Sequence, residues 1–383
     1  MLAKNIKFIN FKKKKINQNK ITELKKINWL KNFPLLNSYS SEYKYSYSKK
    51  YVKNLKNYKK FRIIGMGGSV LGTRAIYDFL REKVKKKFLF LDNLKPRIEN
   101  KESAVNLIIT KSGETLETIS NFYILNKKKQ KKNIFITENK DSYITQLAQN
   151  IKADVIEHKN YIGGRYSVLS EVGMLPAELM GLNERKFKQF NKLINNKNFL
   201  NSLIVNVDTI LNLIKKGKFN SIIINYDENS DNLFKWYQQL VSESLGKKSK
   251  GLLPLISSMP KDNHSLLQYY LDGSKKNFYT FFNVEHYNSE ALPNNILKSK
   301  IYLRNKKLNN ILRAQSKASQ NIFRKKKLQF RSFQILKRDE ETIGALFTFF
   351  VLETILIGKA LKVNPFDQPS VELIKRETKK LIS

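Results

Sequence analysis

Cysteine is absent from the 383 residues. Disulfides, thiolate metal sites and cysteine nucleophiles are thereby excluded, and a reducing compartment suits the chain. Histidine is almost absent: His158, His264 and His286 are the only three. No His-x-x-x-His pair occurs, so a zinc site would need carboxylates to complete it. No metal and no other cofactor is expected. An uninterrupted apolar run is lacking too. The longest stretch, 343–361, is broken by Glu353 and Lys359 and falls short of the roughly 20 residues of a membrane span. It reads as a buried helix. The lysine-studded first 20 residues lack the apolar core of a secretory signal. A cytoplasmic protein with no membrane partner is expected.

Arginine is scarce as well. Only 12 of the 72 basic residues are Arg, and with 32 acidic residues the formal net charge is +40. Such a charge points to nucleic acid in principle. Groove and phosphate readers favour Arg alongside Lys, however, and no helix-turn-helix, zinc-finger or RNP pattern is present. Abundant Lys, Asn, Ile and Phe all have AT-rich codons, which accounts for the bias without a ligand. No nucleic-acid partner is expected. Hydrophobic residues make up 41%, enough for a sizeable core, and at roughly 150 residues per domain the length suggests two or three domains.

Residues 1–58 are rich in Lys, Asn and Tyr and read as a helical arm. From Phe61 the pattern changes. Short β-branched and aromatic runs at 61–65, 88–91, 105–109, 133–136 and 154–156 alternate with helix-like stretches. After a helical segment at about 183–216 the alternation resumes, with strands at 221–225, 252–256 and 278–282 and a helix over 233–245. Such alternation predicts parallel α/β sheets. A first α/β domain over 59–182 and a second over 183–298 follow. Residues 299–383 read as helices, the last beginning near Ser370. The basic run 324–327 reads as a solvated helix face.

Five motifs carry candidate chemistry. Gly65-Met-Gly-Gly68-Ser69 lies between a strand and a helix, where backbone N–H groups and the helix dipole favour an anion. Val70 stands where a dinucleotide fingerprint needs Gly, and the Gly-Lys-Ser/Thr of a P-loop is missing. A tight turn explains the motif equally well. Thr110-Lys111-Ser112-Gly-Glu-Thr115 also joins a strand to a helix, and its hydroxyls either cap that helix or face a phosphate. Two such turns at neighbouring strands share a crevice at the carboxyl edge of the sheet. Gly163-Gly-Arg165-Tyr-Ser fixes a guanidinium suited to developing oxyanion charge. Glu243, near the end of an apolar helix, is followed 21 residues later by His264; each by itself is a surface residue or a positioned acid or base. Asn364-Pro-Phe-Asp367-Gln368 precedes Lys375, itself read alone as a surface lysine.

Together and in this order the five motifs resemble the glucose-6-phosphate isomerase family, in its short bacterial branch, built from two sugar-isomerase (SIS) lobes. The resemblance covers about residues 61–375. Ile162-Gly-Gly-Arg-Tyr-Ser resembles one family signature and Gly358 through Lys375 the other, while the interval from Glu243 to His264 matches the short branch. It implies an α/β fold of two SIS-type lobes with parallel sheets flanked by helices, a helical N-terminal arm and C-terminal helices completing the active site.

The reaction implied is aldose–ketose exchange of glucose 6-phosphate and fructose 6-phosphate through a cis-enediol or enediolate. Gly68, Ser69, Thr110, Ser112 and Thr115 would hold the phosphate, with Lys111 beside it. Glu243 would be the base, Arg165 would face the enediolate, His264 and Lys375 would handle ring opening and the sugar hydroxyls, and Gln368 would orient the substrate. The family's histidine reaches the partner subunit's site, which implies a homodimer. A non-catalytic sugar-phosphate sensor and an isomerase also accepting mannose 6-phosphate are the alternatives; the sensor would not need Glu243, His264 and Lys375. The chain departs from the family at Ser370, usually Gly, and at Ser242, usually Gly before the base. Leu245 replaces a second Glu common in the branch, which leaves Glu243 as the single candidate.

Overall fold

Five apolar runs form the first sheet because a strand covered on both faces by helices needs continuous hydrophobicity rather than alternation. In the computed structural model they are β2 (Lys60–Gly65), β3 (Lys87–Leu91), β4 (Val105–Ile109), β5 (Asn133–Thr137) and β6 (Asp154–Glu157). All pair in parallel, in the order β3-β2-β4-β5-β6. Every residue of β4 and β5 is buried. The structure describes residues 1–11, 26–98, 103–126, 132–285, 288–296 and 298–382. The part of the expected N-terminal arm at 12–25 lies outside them.

The second sheet has the order β8-β7-β9-β10-β1, from β7 (Asn220–Asn225), β8 (Leu253–Ser258), β9 (Asn277–Val284), β10 (Phe330–Ile335) and β1 (Ile6–Ile9). The first four are parallel, and β1 closes the edge antiparallel to β10. Two readings of the sequence need correction here. The first residues contribute a strand as well as helices, and the stretch after 299 contains β10 between its helices. Both signals are weak. β1 is four residues long, and β10 carries Arg331 and Ser332 in its middle.

Arg331 is tolerated in the sheet because its charge is matched. Its side chain is fully buried and pairs with Glu353, itself 1% exposed. Asn206, Thr280 and the Tyr237 hydroxyl take the remaining donors, at 2.8, 3.0 and 3.3 Å. An unpaired buried charge would be prohibitive. This network ties β10 to the helix Glu340–Leu361, which carries Glu353, and to the helix Asp231–Leu245, which carries Tyr237.

Between the two sheets runs a shared helical layer. Leu71–Phe79 packs on Glu171–Leu179 and on Asp231–Leu245, which in turn packs on Glu340–Leu361. One hydrophobic core therefore extends through both halves. Trp236 on Phe347 (centroids 4.7 Å apart) and Tyr237 on Phe350 (4.5 Å) are typical contacts. Glu340–Leu361 is long and apolar enough to cross a membrane, yet 83% of its most apolar window is buried in the fold, as a core helix requires. The basic run 324–327 ends the helix Leu308–Lys325 and is exposed, as expected.

Candidate active site

Strand order in the first sheet reverses between β2 and β4, and open α/β sheets take their ligands beyond the carboxyl ends of the strands at such a point. The Gly65–Ser69 turn leaves β2 at this point and the Thr110–Thr115 loop leaves β4. The helix Leu71–Phe79 starts without a side-chain cap, so its first N–H groups are available to an anion. Thr110 and Thr115 close their loop through a 2.8 Å hydroxyl–hydroxyl bond. Ser112 accepts from the Glu114 N–H at 3.2 Å. Lys111 lies to the side. Its ammonium donates to the Asn160 carbonyl at 2.8 Å and sits 3.4 Å from Glu138.

The turn also needs its glycines. Gly67 has φ +51°, and a Cβ there would meet the Gln239 amide at 2.6 Å. A Cβ on Gly68 would lie 2.2 Å from the Gly164 backbone. The loop after β2 is thus pressed against the segment that carries Arg165. The first and third motifs, 96 residues apart between Gly68 and Gly164, meet backbone to backbone.

Arg165 is the centre of the arrangement. It lies in the 3₁₀ turn Gly164–Leu169 with its side chain 2% exposed. Its Nε donates to Ser244 Oγ at 2.8 Å. One terminal nitrogen donates to Glu243 Oε2 at 3.2 Å and to Gln368 Oε1 at 2.7 Å. The other donates to the carbonyls of Pro365 and Asp367, at 2.7 and 3.0 Å. A guanidinium has five N–H groups, and these five bonds use them all. Glu243 is held on its other side by Gln239 Nε2, 2.8 Å from Oε1, and keeps 32% of its side chain exposed. A buried cation, a part-exposed carboxylate and an amide therefore converge beside the Gly65–Ser69 turn.

A model of the phosphoglucose isomerase family matches residues 40–299. A glucose-6-phosphate isomerase of Methanocaldococcus jannaschii is 32% identical over 351 residues, covering 86% of each chain. One of Campylobacter jejuni is 30% identical over 375 residues, covering 91% of this chain and 90% of the relative.

The chain belongs to the phosphoglucose isomerase family.

It is accordingly an aldose–ketose isomerase. A crystal structure of a glucose-6-phosphate isomerase from Chlamydia trachomatis shares the fold, with a TM-score of 0.75, 15% identity, and coverage of 99% of this chain and 89% of that one. The two-lobed α/β architecture expected from the sequence is the family's SIS-type fold.

The two remaining residues that the resemblance implicated, His264 and Lys375, lie apart. His264 is exposed and follows the turn Lys261–Asn263 beyond β8. Asp262 builds that turn by accepting from Ser257, the Ser258 N–H and Ser265 at 3.1, 2.8 and 3.0 Å. None of the bonds around Glu243 reaches His264. Lys375 is likewise apart. It stands on the exposed helix Pro369–Ile382, paired with Glu372 at 2.6 Å and 62% exposed. A single chain therefore brings together Arg165, Glu243 and Gln368, with Gly68 packed against the Arg165 segment, and leaves His264 and Lys375 outside the cluster.

Sequence reasoning missed several contacts. Gln239, the i−4 neighbour of Glu243 on the same helix face, was not singled out, because a helix-surface amide is commonplace. Ser244 and Tyr166 bond each other at 2.9 Å, and Tyr166 also donates to the Pro365 carbonyl at 2.9 Å; no spacing announced this. His158 lies beyond β6, buried beside Lys111 and Glu138, and burial pushes its imidazole down to about 4. It is a neutral structural residue.

Proposed function

We propose that the crevice binds the phosphate of glucose 6-phosphate or fructose 6-phosphate and that Glu243 transfers the proton between C2 and C1. The observation that carries this is the Arg165–Glu243–Gln368 cluster abutting the Gly65–Ser69 turn. A base must face a reacting carbon while a fixed phosphate sets the distance, and here Gln239, which bonds the base, packs against Gly67 in the turn proposed to hold the phosphate. Ser69, Thr110, Ser112 and Thr115 offer hydroxyls and the adjoining helices offer N–H groups, as a phosphate dianion requires. Lys111 adds charge at the rim.

The bound sugar is mainly cyclic and must open first. His264 or Lys375 gives a proton to the ring oxygen of glucose 6-phosphate and recovers one from the C1 hydroxyl, so that the ring opens with no net change in protons. Glu243 then removes the C2 proton, electrons move into the C1–C2 bond, and an enediolate forms. A proton passes from the C2 hydroxyl to the C1 oxygen, and the same carboxylic acid returns the proton it took to C1, leaving the carbonyl at C2. The adjacent carbonyl and hydroxyl exchange oxidation level between themselves, so the step needs no external oxidant. Arg165 serves as a fixed positive charge beside the intermediate. Its donors are all engaged, so a direct bond to the substrate oxygen requires Gln368 or Glu243 to release one. Such a preorganised charge is worth on the order of 10²–10³ in rate, and a positioned base on the order of 10²–10⁴.

The working unit in this reading is a homodimer in the cytoplasm. His264 is exposed and away from its own Glu243, which suits delivery to a partner's site. The last helix exposes Val371, Leu373, Ile374, Leu381 and Ile382, an apolar face that a second copy would cover. Sedimentation of the purified protein tests this, and a monomer that is fully active would remove the shared-site arrangement.

For the chemistry, fructose 6-phosphate is incubated with the protein in D₂O and the carbon-bound protons are followed by NMR. Glucose 6-phosphate carrying deuterium at C2 is expected. Glu243→Gln abolishes exchange and retains binding of a non-isomerisable sugar-phosphate analogue. Absence of turnover by the native chain at every pH overturns the reading, and loss of analogue binding in the variant makes Glu243 structural.

A further inference from the structure

The peptide Asn364–Gln368 is where the site depends on something outside the five motifs. It supplies Gln368 to Arg165 and leads directly into the helix Pro369–Ile382 that carries Lys375. Two cations hold it. Arg165 takes the Pro365 and Asp367 carbonyls from the first half of the molecule. From the other side comes Lys247, just past the C-terminus of the helix that bears Glu243. Its ammonium donates to the carbonyls of Asn364 and Asp367, the latter at 2.7 Å, and to the Asp367 carboxylate at 2.8 Å. Its side chain is only 13% exposed, in a chain whose lysines mostly face solvent.

Three features make this contact more than a surface ion pair. All three protons of the ammonium are used on one peptide, so its position is over-determined. The Asp367 carbonyl accepts from both Lys247 and Arg165, which locks the peptide between them. The peptide also folds on itself: Asn364 Oδ1 accepts from the Phe366 N–H at 3.1 Å, and Asn364 Nδ2 donates to the Asp367 carboxylate at 3.0 Å. A cation at a helix C-terminus is further favoured by the dipole.

We propose that Lys247 is a positioning residue for the isomerisation: it fastens the end of the Glu243 helix to the Asn364–Gln368 peptide and thereby fixes the placement of Gln368 against Arg165 and Glu243. This deepens the proposed function and rests on Glu243 being the base. The phosphate loops are built by other elements, so Lys247 affects the reacting carbons and leaves the phosphate crevice untouched. Its loss therefore lowers kcat and leaves KM for the hexose phosphate nearly constant. A misplacement of about 1 Å in such a constellation costs on the order of 10²-fold in rate.

The test compares Lys247→Met, Lys247→Arg and Asp367→Asn with the native chain, using steady-state turnover of fructose 6-phosphate and thermal melting. Lys247→Met drops kcat by about one to two orders of magnitude with KM within about threefold, following the misplacement cost above. Lys247→Arg, which keeps donors and charge, recovers most of the loss. Asp367→Asn, which keeps both carbonyl contacts, loses less than Lys247→Met. A Lys247→Met protein with native kcat overturns the proposal, as does one whose losses appear equally in KM or are not relieved by Arg. If Lys247→Met melts below the assay temperature, Lys247→Arg and Asp367→Asn carry the comparison, and native kcat in Asp367→Asn together with an unrescued Lys247→Arg overturns it. A native chain without any turnover fails the underlying reading instead, so the two failures are distinguishable.

Discussion

The two sheets share one strand pattern and differ in what they place at their carboxyl edges. β7 is flanked by β8 and β9 just as β2 is flanked by β3 and β4, so each lobe has a switch-point crevice. In the first, Gly, Ser and Thr leave backbone N–H groups and hydroxyls at the opening. In the second, the corresponding turns bring Asp227 and Glu285. Neither acid is free. Asp227 pairs with Arg338 and accepts from Ser230. Glu285 pairs with Arg313 at 3.1 Å and accepts from Gln334 at 2.7 Å. Topology supplies a switch point twice, and in the function proposed above the first, with its glycines and hydroxyls, is the one that takes the phosphate. The fifth strand differs as well: parallel β6 in one sheet, antiparallel β1 from the N-terminus in the other.

The comparison can be broken first in the second lobe's core. Glu353→Ala strands the buried Arg331 and is expected to cost about 3–5 kcal/mol, read as a lower midpoint in urea. If the midpoint holds, the network is not what tolerates a charge in β10. Removing one hydroxyl from the first crevice comes next. Thr110→Val should weaken binding by roughly 1.5–3 kcal/mol, the worth of a hydrogen bond to a charged group, seen as a KM raised by about one to two decades with melting little changed. A KM like that of the native chain would remove Thr110 from the phosphate site.

A pH effect separates the lobes more gently. His158, at the first sheet's edge, has a folded-state value of about 4, below its ordinary 6.5, because it is buried. Between those values the unfolded chain binds a proton that the folded one does not, so stability falls as pH drops through this window. The expected slope is about 1.4 kcal/mol per pH unit. His158→Asn should flatten it, and an unchanged slope assigns the loss to other groups. The smallest effect is at the second crevice. Glu285→Gln loses a pair whose Arg313 is 56% exposed, worth at most about 1 kcal/mol, and should leave KM for hexose phosphate unaltered. A changed KM there would mean that the second crevice also senses substrate.

Much of this was legible before the fold. The apolar runs of the first sheet, the turn after β2 and the hydroxyl loop after β4 follow from local pattern, whereas roles for Arg165, Glu243 and Gln368 were implied only by the resemblance that the five motifs carry together. β10 was not legible, because Arg331 and Ser332 interrupt its apolar character and only Glu353, 22 residues on, explains them. Nor was Gln239, whose side chain reads as an ordinary helix-surface amide until Gly67 is seen against it. Lys247 was one of 60 lysines, and although it closes the Glu243 segment, nothing in the sequence assigned it a partner or a role.

By itself, then, the chain determines which residues can do chemistry, since hydroxyls, glycines and an isolated acid announce their capacities locally. The tertiary structure alone decides which of them act together. Glu243 stands out from 32 acidic residues because Arg165, 78 residues before it, and Gln368, 203 residues beyond Arg165, reach one point. Hydrogen bonds of about 3 Å depend on how helices pack across a shared core, a long-range property that no local pattern encodes. The same packing leaves His264 and Lys375 on the surface of a single chain.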